Sequence, residues 1–257
     1  MHKHSRCYLV CSPLPYTAAN LRVVDIPIHA MVSSGINKMY ILSQFHSHTL
    51  FSHLTSSYPM ILGGPRNAAF VEPLACTQTA NASNWYRGAA EAVARNIERI
   101  AERGGDDVED FVIASGTAVY SLDILDVVNT HRQCNADITV VTRSVCRQDA
   151  QQLGVVVADG ATGLLQSFVE KPEDPILAEL AHTSAHATPS LPYEANQGVY
   201  VFRRDTLLEL LADKDERTAH VQFGRDVLPA ALSWGLTVAG ELVVVVGLVG
   251  GCLWSFL

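Results

Sequence analysis

A chain of 257 residues that is 48% hydrophobic and 17% charged has the make-up of a soluble globular protein, long enough for one large α/β domain or two small ones. Its formal net charge of -8, with no cluster of Lys and Arg, excludes nucleic-acid binding through a general basic surface, so an acidic ligand would need a local basic site. The six cysteines form no CxxC pair and no zinc-finger spacing, which favours free thiols in a reducing compartment over a disulfide framework.

From the amino end, residues 1–24 carry no Asp or Glu and include Lys3, Arg6 and Arg22 among Ser, Thr and Ala. Transit peptides and plain irregular termini share that composition. Short runs rich in β-branched and aromatic residues then predict strands at 38–44, 111–114, 137–142 and 197–202. Apolar residues at three- and four-residue spacing predict helices over 46–57, 88–102, 121–134, 205–212 and 225–233. Such alternation predicts an α/β fold whose mainly parallel sheet is covered on both faces. Residues 173–195, with Pro175, Pro189 and Pro192 among Ala, His, Thr and Ser, read as an insertion or surface loop. The last 16 residues, from Leu242 on, hold no charge and fall short of the usual helical membrane span of about 17–25. Their β-branched Val and three Gly favour a strand with a poorly defined end over a tail anchor.

Three stretches stand where chemistry is usual. In Asn84-Trp-Tyr-Arg-Gly-Ala-Ala-Glu91, the small residues Gly88, Ala89 and Ala90 open an Ala-rich helix. A bare helix amino terminus offers N–H groups and a positive dipole end to a phosphate, and a tightly packed helix entry has the same sequence. In Phe168-Val-Glu-Lys-Pro172 a strand ends in an acid and a base, which suit a sugar or phosphate ligand or a surface ion pair. Phe111 to Tyr120 reads as a buried strand and a turn at Ser115-Gly116-Thr117, in a usual place for ligands yet without a charged group. Ser115 has no His and Asp partners suggested by sequence. Asp123 and Asp126 suit the positive end of the following helix. His46, His48 and His53 form no metal spacing of their own, and no metal ligand set is assigned.

The blocks Ser34-Gly-Ile-Asn-Lys-Met-Tyr-Ile-Leu-Ser-Gln-Phe-His46, Leu74-Ala-Cys-Thr-Gln-Thr79, Asn84 to Val93, Ala136-Asp-Ile-Thr139, Glu170-Lys-Pro172 and Phe223-Gly-Arg-Asp-Val-Leu-Pro229 occur in an order that resembles glucose-1-phosphate adenylyltransferase, also called ADP-glucose pyrophosphorylase. The resemblance covers residues 16–240, leaving 1–15 and the apolar tail 241–257 unmatched. It implies a Rossmann-like nucleotidyltransferase domain in which glucose 1-phosphate attacks the α-phosphorus of ATP, with Mg2+ neutralising the developing charge, on the route to starch or glycogen. By position, Gln78 would read adenine, and Gly88 and Ala89 would lie against the nucleotide. Glu170 and Lys171 would hold the glucose phosphate and sugar, with Asn196 and Gly198 nearby. The implied ligands are ATP, glucose 1-phosphate or ADP-glucose, with no nucleic acid and no membrane. The implied compartment is a plastid or the cytoplasm.

Departures from that pattern are as informative as the matches. The family's Gly-rich triphosphate loop should precede residue 16, where residues 1–15 hold no glycine. After the central strand the family has Gly-Asp, whose carboxylate holds Mg2+; this chain has Gly116-Thr117, and a neutral hydroxyl lacks the charge a hard cation needs. The Trp-Glu-Asp segment with the second metal carboxylate and the carboxy-terminal β-helix have no counterpart after Glu241. Expectations therefore divide among an adenylyltransferase with incomplete ends, a non-catalytic homologue that partners an active subunit in a hetero-oligomer, and a degenerate product with residual sugar-nucleotide binding or none.

Overall fold

The computed structural model describes residues 4–10, 22–36, 38–44, 47–58, 70–76, 85–104, 108–116, 122–181, 183–184, 186–212 and 220–242. Four parallel strands start the sheet: β1 (His4–Val10), β2 (Lys38–Ser43), β3 (Phe70–Ala75) and β4 (Val108–Ser115). They lie in the order β3-β2-β1-β4, so their carboxyl ends share one edge. The helices α1 (Asp25–Ser33), α2 (Ser47–Ser57) and α3 (Ala89–Gly104) connect them. Strands β2 and β4 are almost wholly buried, as their near-continuous apolar runs require of strands covered on both faces.

The second half departs from a purely parallel plan. Strand β8 (Tyr193–Arg203) runs antiparallel between β4 and β5 (Ile138–Val145), and β9 (Val238–Leu242) closes the far edge parallel to β5. Its carboxyl half pairs with β4, while its amino half passes beyond Ser115 and pairs with β6 (Gly154–Ala158). Strand β7 (Leu165–Glu170) hairpins onto β6. This overhang carries Glu170 to the edge where β1 to β4 end.

The helices α4 (Ile124–Gln133), α5 (Arg147–Ala150), α6 (Asp174–Leu180), α7 (Arg204–Leu210) and α8 (Leu228–Ser233) complete the chain. Two apolar layers result. One packs α3, α7 and α8 on the face carrying Tyr40, Ile113, Val140 and Phe202, and the other packs α1, α2 and α4 on the face carrying Ile41, Val112, Val141 and Val201. Burying such side chains contributes about 1.5–3 kcal/mol each, the main force holding helices to sheet.

Several sequence expectations need correction. Residues 4–10, outside the resemblance, supply β1, a strand paired on both sides, and Glu241 and Leu242 belong to β9. Residues 173–195 are not all loop: Pro175, compatible with a first helical turn, helps open α6, and β8 begins at Tyr193. The helix expected over 225–233 is α8 preceded by a π-helical turn at Phe223–Val227. Among the described residues no helix is long and apolar enough to cross a membrane.

Candidate functional site

Glu170 ends β7, and its position depends on two missing side chains. A Cβ on Gly154 would lie 2.2 Å from the Phe168 ring and 2.9 Å from Glu170 Oε2; a Cβ on Gly224 would lie 2.7 Å from the same Oε2. The two glycines thus form a slot that seats the ring and the carboxylate. Below it lie Phe223, Tyr200 and Phe202, with Phe223 centroids 5.4 Å and 5.7 Å from the other two rings. Glu170 is exposed as a residue, yet its carboxyl end is tucked into this slot. Loss of solvation there raises its pKa, opposed by the charges of Lys171 and Arg225.

Lys171 follows with φ of 46°, one of two non-glycine residues with positive φ among the described residues. That conformation costs on the order of 1–3 kcal/mol and persists only where surroundings impose it, which is a common condition at ligand sites. Its backbone N–H donates to Leu153 O at 3.1 Å, and the exposed side chain is a cation beside a carboxylate.

Asn196 and Gly198 lie where β8 crosses the carboxyl edge of β4. From Thr142↔Asn196 to Val140↔Tyr200, β8 uses more residues than β5, so the strand bulges. Gly198 takes φ of 72°, and its absent Cβ would be 3.4 Å from Ser115 Cβ. Asn196 shapes the bulge: its Oδ1 accepts from Gly198 N at 2.8 Å, and its Nδ2 donates to the Tyr200 hydroxyl at 2.6 Å. The sequence-predicted sugar-side residues therefore converge on one edge of the sheet, joined through Tyr200, whose buried hydroxyl is raised in pKa by burial and by Glu170.

The amino end of α3 is not bare: of the two readings its sequence allows, the structure shows the tightly packed helix entry. Val221 O accepts from Ala90 N at 3.0 Å and Glu91 N at 3.5 Å, and the buried Glu91 carboxylate accepts from Arg87 N at 2.8 Å. Burial opposes the charge on Glu91, but the Arg87 hydrogen bonds and the nearby guanidinium groups of Arg95 and Arg87 hold its pKa down. Gly88 faces the same segment: a Cβ there would lie 2.3 Å from Val221 O. Its smallness therefore has a packing cause, and Ala89 opens the helix beside it.

An edge carrying Glu170, Lys171 and a bulged β8, beside a mixed sheet of this order, is matched at the level of sequence by one family model. The model for nucleotidyl transferases covers residues 13–240. The chain belongs to the nucleotidyl transferase family. Its α/β sheet flanked by helices fits the nucleotide-diphospho-sugar transferase fold, and membership implies nucleotide and sugar-phosphate substrates.

The nucleotidyl transferase chemistry commonly uses Mg2+, so the donor set matters. Among the described residues no group of three or more His, Cys, Asp or Glu could hold a metal ion. Asp126 and Glu241 interact, and burial followed by the Asp126 charge raises the Glu241 pKa, but two carboxylates do not complete a cation site. Position 117, where the resemblance puts a metal carboxylate, is Thr. The residues described do not fit the ion.

Gln78, Thr117 and His46 lie outside the described residues, as do residues 11–21 and the tail 243–257. His53 has a structural partner: its Nε2 lies 2.8 Å and 2.9 Å from the two Asp25 oxygens, and the Tyr58 hydroxyl donates to Asp25 at 2.8 Å, tying α2 to α1. Asp123 caps α4 by accepting from Leu125 N at 2.9 Å. Sequence reasoning assigned no role to Gly154, Gly224 or Asp226. A glycine inside a strand signals close approach, which could have marked Gly154; Gly224 and Asp226 gain meaning only from contacts distant in sequence.

Proposed function

We propose that this nucleotidyl transferase is of the ADP-glucose type, binds ADP-glucose or its precursors ATP and glucose 1-phosphate, and does not turn them over alone. In that role it is a non-catalytic homologue that partners an active subunit in starch or glycogen synthesis. One observation carries the non-catalytic half: Gly116-Thr117 follows the central strand β4, and this internal replacement of a metal carboxylate owes nothing to the chain's ends. Developing phosphoryl charge would lack one of its fixed counter-charges there, and loss of one member of a catalytic set removes most of its effect. The binding half rests on the seated Glu170 carboxylate and the constrained Lys171. Lys171 would meet a phosphate oxygen, and Glu170 would accept from sugar hydroxyls, with Asn196 and Gly198 shaping the wall; Gly88 and Ala89 would flank the nucleotide and Gln78 would read its base.

The test is calorimetric titration of the whole chain with ADP-glucose, paired with an assay for ATP formed from ADP-glucose, pyrophosphate and Mg2+. Saturable binding without ATP formation is expected, as is loss of binding in Lys171→Ala. Binding of no sugar nucleotide, or turnover within a few fold of an active homologue, would overturn the reading. The competing reading, an adenylyltransferase active by itself, is favoured by the seated Glu170–Lys171 pair and predicts that turnover.

A further inference from the structure

The π-helical turn Phe223–Val227 lies between two parts of the site. On one side, Gly224 packs against Glu170 Oε2, so any shift of the turn moves one wall of the carboxylate slot. On the other side, the residue two before the turn, Val221, caps α3 with its carbonyl and packs against Gly88. Asp226 joins these sides. Its Oδ2 accepts from Val221 N at 2.9 Å and from Gln222 N at 2.8 Å, while its Oδ1 accepts from Arg225 Nε at 2.8 Å. Burial opposes its ionisation, yet the hydrogen bonds from Arg225, Gln222 and Val221 hold the carboxyl below the usual carboxylate range. π-helical turns are uncommon and occur often at functional sites, because the extra residue re-aims the backbone at a cost that packing must offset.

We infer that Asp226 is a positioning residue that locks the sugar-phosphate half of the site, at Glu170, to the nucleotide half, at the amino end of α3. It does so by holding the backbone N–H groups of Val221 and the extended Gln222, which keeps the Val221 carbonyl on Ala90 and Glu91 and Gly224 against Glu170. Without its carboxylate, two backbone N–H groups lose their acceptor and Arg225 loses its partner, so the segment has no fixed register between the two halves. The inference rests on the proposed sugar-nucleotide reading for its ligands, but the mechanical link itself is independent of that reading.

The experiment uses the full chain and the variants Asp226→Ala and Asp226→Asn, with ADP-glucose as probe. Two quantities are read: ADP-glucose affinity by calorimetry, and hydrogen exchange of the Ala90 and Glu91 amides. Asp226→Ala should weaken ADP-glucose by about tenfold or more, the scale of losing charge-assisted hydrogen bonds, and should speed exchange at both amides. Asp226→Asn keeps one acceptor oxygen and should restore much of both, a rescue that general destabilisation would not give. A folded Asp226→Ala chain with unchanged affinity and unchanged exchange overturns the inference, as does weakened binding without faster exchange. Should the unaltered chain bind no ADP-glucose, the functional reading fails separately, and exchange alone then decides: faster exchange supports the link and unchanged exchange refutes it. An Asp226→Ala chain too unstable to study leaves Asp226→Asn to decide by the same two readouts, with partial loss of both expected and no change in either refuting.

Discussion

At the scale of single residues, environment rather than identity sets chemistry. Glu170 in its glycine slot has a raised pKa because burial there disfavours the charge. A folded-state pKa above the unfolded one means that stability is full below the ordinary Glu range and is lost as pH rises through the folded pKa. Glu170→Gln should therefore gain stability over the unaltered chain at neutral pH and gain nothing at low pH. Denaturant midpoints at both pH values check this; an equal difference at both would count against the slot.

His131 shows the opposite sign. It is buried between Thr139, whose hydroxyl lies 2.8 Å from Nδ1, and Asp110, with Nε2 3.7 Å from the nearer oxygen. Burial, followed by the charges of Asp110, which opposes it, and of Arg203 and Arg132, lowers its pKa from 6.5 to about 4. The unfolded chain takes up a proton near 6.5 and the folded one does not, so stability present above that pH is lost as pH falls toward about 4. His131→Gln should flatten the fall in denaturation midpoint across that window. A slope identical to the unaltered chain would show that other groups cause it.

At the scale of elements, local patterns succeed where a helix or strand has its own periodicity. Helices α2, α3, α4 and α7 and strands β2, β4 and β5 follow from spacing and β-branched runs. What spacing cannot show is a role created by a distant neighbour. The GAA entry to α3 reads equally as a phosphate cradle or as a tightly packed helix entry, and only Val221, far along the chain, decides for packing by occupying the N–H groups of Ala90 and Glu91. Likewise, β1 has only a short run between basic and polar residues, and it becomes a strand because β2 and β4 pair with it on both sides. Gly88 tests the point directly. Its missing Cβ leaves room for a backbone carbonyl, which cannot step aside as a flexible side chain can, so Gly88→Ala should cost about 1–3 kcal/mol in unfolding free energy. A denaturation curve unchanged by that substitution would contradict the close approach.

At the scale of the whole molecule, the sheet order gathers residues that lie far apart in sequence. The overhanging β6–β7 hairpin and the antiparallel β8 bring Glu170, Lys171, Asn196 and Gly198, separate in sequence, to the carboxyl edge of β4. Their grouping was legible from the ordered motifs of the family, whereas the slot glycines and Asp226 needed the tertiary contacts. Thr117, a neutral residue where the resembled family has a carboxylate, is read from the sequence alone and lies outside the described residues. The proposed function amounts to binding of ADP-glucose without turnover. Phosphorus NMR of ADP-glucose with pyrophosphate, Mg2+ and the whole chain reads both at once. A chain that binds without turnover should broaden or shift the ADP-glucose resonances as protein is added while no ATP resonance grows. Growth of ATP, or ADP-glucose signals unmoved at saturating protein, would contradict it.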